Sequence, residues 1–121
     1  MSLIKTTLDM PFLRKGTPFL LTFEVESSDG STVVPSSGVT LSCPVKATTT
    51  GPTLASATIT RVNDTTVTIS MTDVQVNAVC AGLVFSQKGG VFSATCVMEI
   101  TFAYTSPAQT TVVIAEPDVV Q

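Results

Sequence analysis

Gly16-Thr17-Pro18-Phe19-Leu20-Leu21-Thr22-Phe23-Glu24-Val25 is the stretch whose reading decides the fold. Phe19, Leu21, Phe23 and Val25 fall on one face at period two, while Thr22, Glu24 and Glu26 fall on the other. Alternation of this kind marks a β-strand buried on one side. Two of the chain's six Phe residues lie on its apolar face, which places the strand at the centre of a core.

Working outward, Ser27-Ser28-Asp29-Gly30 is a turn, because Asp-Gly supplies the positive φ that a hairpin needs. Residues 31–34 read as a brief strand. Val39, Leu41, Cys43 and Val45 alternate with Thr40, Ser42 and Lys46, and Pro44 assigns that strand to an edge or a bulge. Ala55, Ala57 and Ile59 make another strand, which turns at Asn63-Asp64 into the cleanest alternation in the chain. There Val67, Ile69 and Met71 point inward and Thr66, Thr68, Ser70 and Thr72 outward. Thr72-Asp73-Val74-Gln75 reads as a capping box, implying a short helical turn near 73–80, with an irregular crossover as the competing reading.

Residues 83–87 resume as a strand, and Lys88-Gly89-Gly90 is a hairpin tip. The longest β run covers 91–104, with Phe92, Ala94, Cys96, Met98, Ile100 and Phe102 on one face. Residues 110–116 form the last strand, and Pro117 ends pairing, leaving 117–121 as a tail. At the other end, 1–13 is an arm with even-numbered apolar positions Ile4, Leu8, Met10 and Phe12, interrupted by Pro11. It is either an edge strand or an arm laid on a neighbouring subunit. The expectation is an all-β antiparallel sandwich of seven to eight strands in one domain, 14–116.

Apolar residues supply 44% of the 121-residue chain and charged residues 12%. Charged residues normally make up about 25%, so the polar surface here is carried by Thr and Ser rather than by ions. Such a surface suits packing against other proteins, since few charges must be desolvated. The net charge is −3, and the six cations are scattered apart from Arg14-Lys15, which speaks against a nucleic-acid partner. No apolar run is long enough for a membrane helix. The first residues lack the pattern of a signal peptide, so the expected site of synthesis is the cytoplasm.

The chain has no His, which removes ordinary Ser-His-Asp and Cys-His sites and most zinc sites. Glu24 and Glu26 share one exposed strand face and read as solvated rather than as a catalytic pair, which needs a cleft. Asp29 and Asp64 sit in turns, with too few oxygen ligands nearby for calcium. With one Tyr and no Trp, a sugar platform is poorly supplied. No catalytic, cofactor or metal residue is expected, and the protein is expected not to be an enzyme. Cys43, Cys80 and Cys96 are odd in number and read as buried free thiols; an intersheet disulfide is the competing reading.

Arg14-Lys15-Gly16-Thr17-Pro18-Phe19-Leu20-Leu21-Thr22-Phe23-Glu24-Val25, followed by Ser28-Asp29-Gly30, resembles the start of the immunoglobulin-like N-terminal domain of phage baseplate upper proteins. Ser37-Gly38-Val39-Thr40-Leu41, Val45-Lys46 and Gly90-Val91-Phe92 resemble later strand entries of that family. The family's Asp-Leu before the second Gly is replaced here by Val34-Pro35. The resemblance implies an immunoglobulin-like virion component, assembled in the host cytoplasm, that decorates or cements a capsid or joins tail or baseplate parts. Its implied partners are major capsid or tail proteins, together with further copies of itself on a lattice. Leu3, Ile4, Leu8, Met10 and Phe12 of the arm and Val119 and Val120 of the tail are the expected contact residues, being apolar and outside the predicted sandwich strands. The alternative is a surface adhesin or carbohydrate-binding sandwich, which predicts glycan binding by the isolated monomer. A secreted domain with a formed disulfide is a further rival.

Overall fold

The structure, a computed structural model, describes residues 3–5, 12–27, 33–105 and 108–121. In chain order its elements are β1 (Leu3–Lys5), β2 (Leu13–Arg14), β3 (Phe19–Ser27), β4 (Val39–Lys46), β5 (Thr53–Asn63) and β6 (Thr66–Met71). There follow α1 (Asp73–Ala81), β7 (Ser86–Lys88), β8 (Val91–Thr95), β9 (Val97–Thr105), β10 (Ala108–Ala115) and β11 (Asp118–Val120). Two sheets, ordered β1-β3-β6-β5-β4-β9-β10 and β2-β11-β8-β7, pack together as an all-β sandwich. Among the described residues, every pairing is antiparallel except that of β11 with β2.

The opening alternation lands where its pattern requires. Phe19, Leu21, Phe23 and Val25 are all buried, and β3 lies between β1 and β6. Val67, Ile69 and Met71 meet them from β6, with Phe23 facing Val67 and Leu21 facing Ile69. Cys43, Val45, Met98, Ile100 and Phe102 from β4 and β9 join the same core cluster. β5 links the two halves of the large sheet. Its residues 53–57 pair with β4 and its residues 58–63 with β6, so one long strand serves both.

The short helix is present and capped as the sequence implies. Thr72 Oγ1 accepts from Gln75 N at 3.2 Å, and Gln75 Oε1 accepts from Thr72 N at 2.8 Å. Gln75 Nε2 also donates to Ser56 O at 2.9 Å, tying the cap to β5. Val76, Val79 and Cys80 are the helix residues driven into the core. At the β7–β8 hairpin, Lys88 pairs with Val91 across Gly89 and Gly90, both at positive φ, as a two-residue loop matched to strand twist requires.

One expectation is narrowed and two need correction. Of the two places that suit Pro44, the edge is excluded, because β4 is central, between β5 and β9, while the bulge is met, since the β4–β5 register shifts between Val45 and Lys46. The strand tolerates the proline because the β4–β9 ladder skips Cys43 and Pro44, running in one register from Ser42 opposite Thr101 to Val45 opposite Met98. The missing N–H therefore costs a local gap rather than the strand. Residues 33 and 34 are buried but lie outside any strand; Tyr104 Oη donates to Val33 O, and Val34 N donates to Asp64 O at 2.9 Å.

The second correction concerns the C-terminus. Residues 117–121 are not a tail, since pairing resumes beyond Pro117. β11 faces β8 in the register that β10 keeps with β9, with Thr95 opposite Asp118 just as Met98 is opposite Ala115. Cys96 N donates to Pro117 O at 3.2 Å, and Gln121 N donates to Phe92 O at 3.2 Å. Proline has no N–H to return the bond to Cys96, so one pair is lost while the ribbon continues. Side-chain parity is unbroken across the gap, which carries Ala115, Pro117 and Val119 inward together.

Candidate interaction surface

Parity along this ribbon decides what faces outward. On β10, Ala115 is buried and Gln109, Thr111 and Val113 are half-buried, leaving Thr110, Val112 and Ile114 on the opposite side. Val112 and Ile114 are 47% and 40% exposed. Val112 faces Thr101 of β9 and Ile114 faces Glu99. Thr101 in turn faces Ser42 of β4, and Ala103 faces Thr40. The result is an outer sheet surface of valine, isoleucine, threonine, serine and alanine.

Its charge is internally cancelled. Lys46 Nζ lies 2.6 Å from Glu99 Oε1, and both side chains are about four-fifths buried, with 21% and 20% of their area exposed. A neutral, mildly apolar sheet face can be covered by another protein with little desolvation cost, in contrast to an ionic face.

The contact residues expected from sequence are not brought together here. Leu3 and Ile4 belong to β1, where Leu3 pairs with Ser27 and Ile4 with Glu26, so this part of the arm is an edge strand of its own domain. Leu8 and Met10 lie outside the described residues. Phe12 is 54% exposed beside β2 and fits a contact role. Val119 does not: it is fully buried in the core, packed in the pairs it makes with Leu13 and Ala94. Val120 is half-buried in the same strand. The reading of Pro117 as a stop misplaced both.

Val112 and Ile114 carry no warning in their own strand, because an alternating Thr-Val pattern shows a period without showing which side is in. The signal lies downstream. Val119 is apolar at the same parity as Ala115, and carrying that parity back through Pro117 turns Val112 and Ile114 outward.

The remaining candidates for chemistry stay apart. Glu24 and Glu26 border a recess of about 300 Å³ with Val25 and Thr65, on the outer side of β3. Among the described residues, no group of three or more His, Cys, Asp or Glu side chains is arranged to hold a metal ion. Cys43, Cys80 and Cys96 are free and buried. Burial pushes the Cys43 and Cys96 thiols up to about 12, and Cys96 Sγ donates weakly to Pro117 O at 3.9 Å. Burial also raises Cys80, opposed by the nearby charge of Lys15. Thiols held protonated in this way are poor nucleophiles.

An intersheet Cys43–Cys96 bridge is ruled out by register. Cys43 lies on β4 opposite the position of Ile100, and Cys96 is four residues further along the neighbouring strand. That is about 13 Å at 3.3 Å per residue, beyond the reach of a disulfide.

In comparisons with known proteins, the chain matches no family model and no curated protein.

Proposed function

We propose that the protein is a structural accessory part of a phage virion, cementing or decorating a capsid or joining tail or baseplate components, and that it works by protein–protein contact. The observation that carries this reading is the neutral outer surface of β4, β9 and β10, with Val112 and Ile114 exposed and its one ion pair closed on itself. The surface provides area for docking on a repeating partner.

One further feature supports the phage resemblance. Gly16, Gly38 and Gly90, the motif glycines among the described residues, adopt positive φ, so each stands where the backbone demands glycine.

The test is co-sedimentation with purified particles of the phage that encodes the chain, with copy number read by quantitative mass spectrometry. Wild type is expected in the particle pellet at a fixed ratio to the major capsid or tail protein. Ile114→Lys is expected to weaken association at least tenfold without changing the urea midpoint. Wild-type protein that stays in the supernatant, or an Ile114→Lys variant that pellets fully, overturns the reading.

A further inference from the structure

Among the described residues, four strands lie at sheet edges, and they differ in kind. β1 is three residues long and carries Lys5, β7 is three residues long and carries Lys88, and β2 is two residues long and carries Arg14. Short, cationic edges are the usual protection against unwanted strand pairing. β10 is the exception. It presents eight residues, Ala-Gln-Thr-Thr-Val-Val-Ile-Ala, with no charge and no proline, in unbroken register with β9.

The hydrogen-bond phase shows what that edge offers. Cys96 N bonds Pro117 O, so the odd-numbered residues of the final ribbon turn their main-chain groups toward its partner strand. The N–H and C=O groups of Thr110, Val112 and Ile114 therefore project from the other side, where no described strand pairs with β10. Main-chain donors and acceptors at strand spacing specify another β-strand as their partner.

We propose that β10 pairs antiparallel with β10 of a second copy, making a two-fold dimer with one sheet continuous across both molecules. A second copy fits for two reasons. The chain carries a net charge of −3, so two copies repel over most approaches, whereas this edge brings no carboxylate opposite another. The sequence is also self-complementary about Val112. A two-fold axis there sets Val112 against its own counterpart and Thr110 against Ile114 twice, as an isologous interface requires. The outer rows then read Thr–Ile, Val–Val and Ile–Thr, apolar and β-branched pairs of the kind that stabilise a ladder. This inference does not rest on the virion reading and is tested without particles.

The test is sedimentation equilibrium of the full chain from about 5 µM to 500 µM, together with amide hydrogen exchange at the same concentrations. The expected species is twice the 12.6 kDa protomer. Val112→Pro removes a donor that points away from β9, so it is expected to weaken self-association at least tenfold, whereas Val112→Ala remains dimeric. Because the proline variant can also disturb β10 itself, exchange in the wild type gives an independent readout. Protection of the Thr110, Val112 and Ile114 amides is expected to fall on dilution. A wild-type monomer at every concentration overturns the proposal. So does protection independent of concentration, which would mean that another part of the same chain covers the edge.

Discussion

Raising the pH above 9 should destabilise this domain through two thiols, and the size of the effect follows from their burial. Cys43 and Cys96 are 1% and 0% exposed, and burial lifts each from 9.0 to about 12. The folded state therefore holds these protons more tightly than the unfolded chain does. Below pH 9 both states are protonated, and the contribution is fully present. Between 9 and 12 the unfolded chain ionises while the folded one does not, so stability falls as pH rises through that window. Each thiol then removes about 1.4 kcal/mol per pH unit. By pH 10 the pair costs about 3 kcal/mol, a large share of the roughly 5–15 kcal/mol that holds a domain together. The assay is urea unfolding at pH 8 and pH 10, followed by circular dichroism, on wild type and on the Cys43→Ala/Cys96→Ala double variant. Burial also raises Tyr104, which acts in the same direction at still higher pH, so the comparison between the two proteins isolates the thiols. The double variant should start less stable and lose much less between the two pH values. Equal losses in both proteins would refute the argument, as would fewer than three titratable thiols per chain in denaturant.

Three other substitutions probe separate parts of the structure. Phe23→Ala empties a fully buried site at the centre of the core and should cost about 3–5 kcal/mol in urea unfolding. Thr72→Ala removes one half of the capping box and should cost about 1 kcal/mol, with the loss of helical signal confined to nine residues. Val119→Ala should cost about 2 kcal/mol, because Val119 is core; a change within about 0.5 kcal/mol would restore the reading of a free tail.

The strands that could be read from sequence are those in which polarity and period agree. In β3 and β6 every second residue is large and apolar and every other one is Thr, Ser, Glu or a single exposed Leu, so the pattern gives both the strand and its buried side. The cap of α1 was legible for a similar reason, since Thr72 and Gln75 satisfy each other locally and need no tertiary information. β5 gave its strand character but not its double role, because pairing with β4 at one end and β6 at the other is a property of the partners. The two prolines behave alike. A missing N–H suits Pro44 to an edge or a bulge and suits Pro117 to a stop, but its cost depends on whether the neighbouring ladder can drop a single bond, as both ladders here do.

That dependence also determines which candidate surface survives. If Pro117 ended the sheet, Val119 and Val120 would be exposed, the parity of β10 would be unset, and Val112 and Ile114 would be as good a core face as Thr111 and Val113. The bond from Cys96 N to Pro117 O keeps the ribbon in register, and Val119 enters the core two positions later. Since side chains alternate strictly, a buried Val119 forces Ala115 inward and Val112 and Ile114 outward. The burial of one C-terminal valine thus creates the neutral outer face of β10. The same hydrogen-bond phase turns the main-chain groups of Thr110, Val112 and Ile114 toward the uncharged edge. The sheet face and the sheet edge are therefore two consequences of one register, yet they are separable by experiment. Co-sedimentation with particles reads the face, whereas sedimentation equilibrium and amide exchange of the pure chain read the edge.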